Sequence, residues 1–155
     1  MRVTLLLVFQ MSLFSFLSHS QTVEVVDKVN LKINGHNIYR QDKSVLITAF
    51  GQPLSIEPYL NEIEETGGNK YVYDGLVAYV ISNRVQSIDI TKNTYSVTSN
   101  NIGIGMNLNT IQSLYPLSYA AKDSYGMFIN IKDYTSYLAF AAVNGVITEI
   151  NFGDY

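Results

Sequence analysis

The sequence of 155 residues contains no cysteine, no tryptophan and only two histidines. The absence of cysteine excludes disulfide bonds, a thiol nucleophile and thiolate metal ligands. It also excludes the cysteine that a bacterial lipoprotein needs at its cleavage site, so we expect no lipid anchor. His36 is the one histidine beyond residue 20, and a lone loop histidine has no second ligand with which to hold a metal. We therefore expect no metal and no other cofactor.

Sequence patterns that carry catalytic chemistry are also scarce. No serine lies in a Gly-X-Ser-X-Gly pattern. The acidic residues Glu57, Glu62, Glu64 and Glu65 lack the regular spacing of a calcium loop and are typical of a solvated face. A carboxylate pair of the kind that glycosidases use stays formally open, because such a pair needs no special spacing. On balance the sequence predicts a protein that is not an enzyme, with no catalytic residues.

The first 20 residues are typical of an export signal. Arg2 precedes an apolar run from Val3 to Leu17, and Ser18-His19-Ser20 supplies small residues at the positions that a signal peptidase reads. The run is short for a membrane span and has no basic residues behind it. We therefore predict cleavage before Gln21 and a periplasmic or secreted protein without a stable membrane anchor.

The chain beyond the signal is mildly acidic and rich in tyrosine. Removal of Arg2 leaves 9 basic against 13 acidic residues, a formal charge of −4. No basic stripe is present, so we expect no nucleic-acid partner. All 12 tyrosines lie in this part. Tyrosine is frequent both in protein-binding surfaces and in strands, and the composition leaves these two interpretations open.

The first half predicts a short helix followed by antiparallel strands. Apolar spacing favours a helix over residues 44–50, capped by Asp42 or Ser44. A turn at Asn83-Arg84 joins two strands, and Asp74-Gly75 is either a turn or a bulge. The strands with the clearest alternation cover residues 76–81 and 85–90.

The second half predicts the same order of elements. Asn107 or Asn109 caps a helix that Pro116 ends, and the residues that it buries are Leu108, Ile111 and Leu114. Asn144-Gly145 is the strongest hairpin signal in the chain. The predicted strands cover residues 126–131, 136–143 and 146–152.

This order predicts an α+β fold made of two tandem helix-plus-antiparallel-sheet repeats, with helices packed on one face of the sheet. The signal occupies residues 1–20, and the first repeat with an N-terminal strand occupies residues 21–90. A polar connector over residues 91–101 leads to the second repeat, residues 102–155. Such a surface suits a binding module better than an enzyme cleft.

An offset of 61 residues between the halves aligns residues 77–80 with 138–141. It places Val77 and Tyr79 on the same core side as Leu138 and Phe140. The opposite side is small and apolar, and an uncovered apolar sheet face is a candidate docking surface. Coverage by the N-terminal strand or the connector is the alternative. The residues that we predict to contact a partner are Tyr71, Tyr73 and Tyr137 on strands, with Asp74 and Tyr134 on loops.

The segment Ile102-Gly103-Ile104-Gly105-Met106-Asn107, followed by Ile111, Leu114 and Pro116, resembles the helix start of two related groups. One is the β-lactamase inhibitor protein family, and the other is the small lipoprotein subunit of the outer-membrane β-barrel assembly machinery. The resemblance implies that the two repeats form one continuous concave sheet. The inhibitor family binds through an Asp-Tyr pair on a hairpin tip of the first repeat. The only Asp-Tyr pair within residues 21–153, Asp133-Tyr134, lies in the second repeat, so no inhibitory residue is carried across.

The sequence therefore supports hypotheses from different functional classes. The first is an exported, non-catalytic module that binds another protein, with inhibition of a secreted or envelope enzyme as its more specific form. The alternative is a soluble envelope structural or assembly factor. A small-ligand binder is the weaker alternative, because ligand sites are normally concave and enclosed.

Overall fold

The computed structural model of the protein describes residues 23–61, 66–132 and 135–154. The predicted export signal lies outside these ranges. Within them the chain forms two α-helices, α1 (Lys43–Phe50) and α2 (Pro116–Ala120), and two 3-10 helices, Lys28–Asn30 and Leu108–Ile111. The strands are β1 (Val25–Val26), β2 (Ser55–Asn61), β3 (Thr66–Tyr73), β4 (Leu76–Ile81), β5 (Arg84–Ile90), β6 (Ser96–Val97), β7 (Ile102–Gly103), β8 (Gly126–Ile131), β9 (Ser136–Val143) and β10 (Val146–Asp154). Neither α-helix is long enough to cross a membrane.

Eight of these strands form one mixed sheet in the order β1-β8-β9-β10-β5-β4-β3-β2. Every neighbouring pair is antiparallel except β1 and β8, which run parallel. Strand β10 joins the two halves because Ile150–Phe152 pair with Ile88–Ile90 of β5. The short strands β6 and β7 form a separate antiparallel ribbon.

The predicted fold class is wrong. The described residues are mostly β-sheet with only two short α-helices, rather than two tandem helix-plus-sheet repeats that form a concave sheet. The predicted second helix is a 3-10 helix of four residues after the cap Asn107. Pro116 begins α2 instead of ending a helix, because the first position of a helix needs no N–H and suits the fixed φ of proline.

Several local predictions are confirmed. Helix α1 begins after Asp42, whose side chain accepts a hydrogen bond of 2.9 Å from the Ser44 N–H. It ends at Gly51, which has a φ of 78°. Asp74-Gly75 is a turn between the paired residues Tyr73 and Leu76. The predicted bounds of β4, β8 and β9 match the structure.

One face of the sheet carries the core of the protein, and we call it the core face. A single row of paired residues crosses it from β3 to β8, and its members are Tyr71, Ala78, Ile88, Phe152, Leu138 and Ile129, each no more than 5% exposed. The segment before α1, α1 itself and the 3-10 helix at Leu108–Ile111 cover this face with buried side chains. At roughly 25 cal/mol per Å² of buried apolar area, this layer is the main source of stability.

The predicted facing of β4 is inverted. Leu76, Ala78 and Val80 are buried on the core face, whereas Val77 and Tyr79 lie on the opposite face. The facing was predicted from an offset of 61 residues, which aligned Val77 with Leu138. In the structure Ala78 shares the core row with Leu138, and an alignment that is wrong by one residue assigns every side chain of a strand to the other face. The turn between β4 and β5 is also displaced by one residue, because it comprises Ser82 and Asn83 rather than Asn83 and Arg84.

The segment before α1 is attached to the end of the sheet by a partly buried polar network. The hydroxyl of Tyr39 donates to Asp154 Oδ1 at 2.9 Å, and the hydroxyl of Ser136 donates to the same oxygen at 2.6 Å. Arg40 forms an ion pair with the other carboxylate oxygen of Asp154. Because Tyr39 is only 1% exposed, these bonds fix the covering layer on the core face.

Candidate functional site

The opposite side of the eight-stranded sheet is the candidate functional surface, and we call it the open face. One row of paired residues crosses it, and its members are Ser55, Val72, Val77, Asp89, Asn151, Ala139 and Phe128. Each of them is half-buried or exposed, and none is buried. Among the described residues, the helices and the covering segment pack on the core face instead. A sheet with one covered and one solvated face is common in antiparallel architectures.

The centre of the open face carries a polar cluster on three adjacent strands, which we call the central cluster. The Tyr79 hydroxyl donates to Asp89 Oδ2 at 2.8 Å. The Asn151 amide nitrogen lies 2.9 Å from both Asp89 Oδ1 and Glu149 Oε1. One amide group therefore holds two carboxylates together and fixes the positions of all four side chains.

The carboxylates of the central cluster lack a cation within the described chain. Three ion pairs form in residues 23–61, 66–132 and 135–154, and they join Arg40 to Asp154, Lys92 to Asp74 and Lys132 to Asp27. Neither Asp89 nor Glu149 takes part in them. Burial and the hydrogen bond to Asp89 raise the pKa of Tyr79 above its ordinary range. Tyr79 therefore stays a neutral donor, and the centre of the face has a negative potential.

Aromatic and cationic side chains flank the cluster on the β2 side. The rings of Tyr59 and Tyr79 meet edge to face, with centroids 4.8 Å apart. The ammonium of Lys70 lies 5.7 Å from both ring centroids, within the range of a cation–π contact. This side of the open face thus presents amphipathic side chains of the type enriched in protein interfaces.

A shallow apolar depression lies on the β8 side. Phe128, Ala139 and Ala141 line its floor and Tyr125 lies at its rim. Tyr125 is 80% exposed and Phe128 is 40% exposed. The small alanine side chains leave the Phe128 ring accessible, so this depression can receive an apolar side chain of a partner.

Tyr71 and Tyr73 are not on this face. They are 5% and 6% exposed and belong to the core, so the prediction that they are accessible to a partner is wrong. Burial raises the pKa of Tyr73 to about 12, with Tyr71 and Tyr95 as lesser causes. Tyr71 pairs with Ala78 and Tyr73 pairs with Leu76. Because directly paired residues share a face of the sheet and both partners are buried on the core face, the two tyrosines also point into the core.

The other predicted contact residues have different positions. Tyr137 is half-buried, and its side chain points to the open face while that of the next residue, Leu138, points into the core. The ring of Tyr137 covers Gly153. Asp74 is exposed at the turn after β3 and forms an ion pair with Lys92. Tyr134 lies outside the described residues. Among the predicted contact residues that the structure describes, Tyr137 alone lies on the open face. Its strand, β9, is the neighbour of β10, which carries part of the central cluster.

Asp89, Glu149 and Asn151 were not predicted as site residues, although the sequence carried a signal for two of them. Asp89 stands between Ile88 and Ile90, and Asn151 stands between Ile150 and Phe152. An apolar-polar-apolar triplet in a strand places the polar residue on the face opposite the core. The signal for Glu149 is obscured by a register shift between Ile147 and Glu149.

Comparisons with known proteins define the fold but not the activity. No protein-family model matches the sequence, and no curated protein matches it. An extracellular protein containing an SCP domain from Bacillus anthracis matches 76% of this chain, with a TM-score of 0.52 and 14% identity. A cysteine-rich secretory protein from Staphylococcus aureus matches 84% of it, with a TM-score of 0.56 and 14% identity. The chain covers only 44% and 50% of those two proteins.

These similar structures correct the resemblance inferred from short motifs. They are SCP-domain proteins, whose fold differs from that of the β-lactamase inhibitor protein family and of the barrel-assembly lipoprotein. The residues behind the inferred resemblance explain the error. Ile102–Gly103 form strand β7, and the following Leu108–Ile111 form a 3-10 helix. At 14% identity the protein is similar in fold to parts of the two SCP-domain proteins.

Proposed function

We propose that the protein is an exported, non-catalytic module that binds another protein through the open face. The observation that carries this proposal is the central cluster, which lies on the sheet face opposite the core. Tyr79, Asp89, Asn151 and Glu149 are held in place by mutual hydrogen bonds, and such preorganised polar groups lower the entropic cost of binding.

Export is supported by the apolar run before Ser18-His19-Ser20. The printed description of one structural neighbour calls that protein extracellular, and the other is described as secretory. Both descriptions agree with the proposed location. A non-catalytic role is supported by the open, shallow shape of the surface, because catalytic sites normally enclose their substrates.

The chemistry of the open face indicates what a partner presents. Asp89 and Glu149 favour a lysine or arginine at the centre of the partner's surface. The depression at Phe128 favours an apolar side chain next to that cation. Phe128 lies two strands from Glu149 and three strands from Asp89, and neighbouring strands lie about 4.8 Å apart, so the two groups of the partner are separated by roughly 10–14 Å.

Affinity capture from a native secretome or envelope fraction tests the proposal. The exported protein serves as bait beside two open-face variants, Phe128→Ala and Glu149→Gln. Leu117→Ala is the matched control, because Leu117 is 50% exposed on α2 and lies away from the open face. We expect a protein that the wild type and the control retain and that both open-face variants lose. Retention by all four baits, or loss in the control alone, contradicts the proposal.

The captured partner also separates the functional classes. If the partner is an enzyme and its turnover falls when the protein binds, the module is an inhibitor of a secreted or envelope enzyme. If the partner is a structural envelope protein, the module is a soluble assembly factor. Retention of a small ligand without any protein favours the small-ligand alternative instead.

A further inference from the structure

Two Asn-Gly pairs form tight turns with the same backbone geometry. Asn34 and Gly35 have φ values of 49° and 83°, and Asn144 and Gly145 have φ values of 51° and 76°. Each pair occupies the two central positions of a two-residue hairpin turn. All four residues are exposed to solvent. Turn type and exposure therefore do not distinguish the two sites.

An Asn-Gly pair can lose the asparagine amide without any enzyme, and asparagine is among the thermolabile residues of proteins. The glycine nitrogen gives up its proton to a base in the solvent and forms a bond to the asparagine Cγ. The Cγ–Nδ2 bond breaks, ammonia leaves and a five-membered succinimide ring remains. Water then opens the ring at either carbonyl, which yields isoaspartate or aspartate. The reaction thus consumes one water, releases one ammonia and involves no oxidation or reduction.

The side chain of Asn34 is held away from this reaction by hydrogen bonds. Its Oδ1 accepts a hydrogen bond of 2.8 Å from the Ser96 N–H, and its Nδ2 donates to the Thr94 carbonyl at 3.1 Å. Attack by the Gly35 nitrogen requires rotation of the Asn34 amide, which breaks both bonds. The connector between the two halves of the sheet therefore protects this pair.

The side chain of Asn144 has no such restraint. Within residues 23–61, 66–132 and 135–154, no hydrogen bond engages the Asn144 side chain or the N–H of Gly145. The Asn144 amide can therefore rotate toward the glycine nitrogen whenever the turn opens locally. Such opening needs little free energy at an exposed hairpin tip.

From this contrast we infer that Asn144 is a site of spontaneous modification in the folded protein, whereas Asn34 is protected. The inference is independent of the open-face partner, because it concerns only the turn between β9 and β10 and the solvent around it.

Modification of Asn144 has a structural consequence because this turn also holds the layer on the core face. The Gly145 carbonyl accepts a hydrogen bond of 2.7 Å from the N–H of Leu108, the first residue of the 3-10 helix that covers the sheet. In isoaspartate the main chain runs through the former side chain, so the turn gains one backbone atom. A two-residue turn cannot absorb this atom and keep its geometry. The Leu108 hydrogen bond is then weakened or lost.

Peptide mapping of the purified protein, incubated at mildly alkaline pH, tests the site. In the folded protein we expect Asn144 to be converted severalfold faster than Asn34, with isoaspartate and aspartate both formed. In concentrated urea, which removes the hydrogen bonds of Asn34, the two rates should become similar. Equal rates in the folded protein, faster conversion of Asn34, or conversion of neither residue until urea is added overturns the inference. Aspartate without isoaspartate contradicts the cyclic intermediate.

Hydrogen exchange tests the consequence for the core-face layer. The converted protein carries one more negative charge and can be separated by anion exchange. The Leu108 amide should exchange faster in the isoaspartate form than in the unmodified protein, while the amides of β4 should be unchanged. The variant Asn144→Asp is the matched control, because it adds the charge without the backbone atom and should keep Leu108 protected. Equal exchange at Leu108 in all three proteins, or loss of protection in Asn144→Asp as well, contradicts the proposed coupling.

Discussion

Tyr73 shows how a single polar side chain is accommodated in the core. Its ring meets Phe50 edge to face at a centroid distance of 6.1 Å, and its hydroxyl donates to the carbonyl of Gly51 at 3.2 Å. The hydrogen bond satisfies the one polar group that burial would otherwise leave without a partner. Tyr73 therefore stabilises the contact between the end of α1 and β3.

The contrast between Tyr73 and Tyr137 gives the first prediction. Tyr73→Ala should lower the free energy of unfolding by about 3–5 kcal/mol, the usual cost of truncating a buried aromatic side chain. Tyr137→Ala should cost at most about 1 kcal/mol, because Tyr137 is only half-buried on the open face. Urea unfolding of both variants checks this order. Equal losses would show that the two faces of the sheet are assigned wrongly.

Tyr39 gives a second prediction, for alkaline pH. Burial, together with Asp154, raises the pKa of Tyr39 to about 12, above the value of about 10 in an unfolded chain. A raised folded pKa means that the stabilisation is fully present below pH 10 and is lost as the pH rises toward 12. Unfolding measured from pH 9 to 12 should therefore show a steeper loss in the wild type than in Tyr39→Phe. Identical slopes would contradict the burial of this hydroxyl.

Single residues also limited what the sequence could predict. Ser82 and Asn83 both have positive φ, 49° and 64°, and serine gives little sign of such a conformation. Asn83-Arg84 was the more plausible turn by residue type, so the turn was predicted one residue too late. Asn144-Gly145, by contrast, carries the residues that a two-residue hairpin prefers, and its turn was predicted correctly.

At the scale of elements, the ends of short segments depend on distant residues. Helix α2 has Tyr115 as its N-cap residue, and the Tyr115 side chain makes no capping hydrogen bond. Glu24 replaces the cap, because its two carboxylate oxygens accept hydrogen bonds from the N–H groups of Leu117 and Ser118. Burial opposes the charged form of Glu24, but these hydrogen bonds outweigh it and lower its pKa. The start of the described chain is thus attached to α2.

The third prediction follows from this remote cap. Glu24→Gln should lower the free energy of unfolding at neutral pH by about 0.5–2 kcal/mol, the usual cost of losing a helix cap. A lowered folded pKa means that the stabilisation is present above the ordinary pKa of 4.5 and is lost as the pH falls through the folded value. The wild type and the variant should therefore converge in acid. A difference that stays constant down to pH 2 would contradict the role of the charge.

The hairpin between β9 and β10 gives the fourth prediction. Asn144 and Gly145 have φ values of 51° and 76°, as a turn with two left-handed residues requires. Gly145→Val should cost about 1–3 kcal/mol, because a β-branched residue is strained at positive φ. Thermal melting checks this value, and Val143→Thr is a control at an exposed strand position. An unchanged melting temperature in Gly145→Val would contradict the turn geometry.

At the scale of the whole molecule, the strands were predictable and their assembly was not. Alternating residues identified β4, β8 and β9, and capping chemistry identified α1. The joining of β5 to β10 through Ile90 and Ile150 depends on contacts between residues 60 positions apart, and no local pattern encodes such pairing. The central cluster was missed for the same reason, since β4, β5 and β10 supply its members.

The central claim is that the open face, and not the helical side, contacts a partner protein. The most direct measurement is photocrosslinking in a native secretome or envelope fraction with single-cysteine variants that carry a photoreactive label. Phe128→Cys places the label on the open face, and Leu117→Cys places it on α2. The account predicts a discrete protein adduct from Phe128→Cys and none from Leu117→Cys. Adducts of equal yield from both positions, or from Leu117→Cys alone, would contradict it.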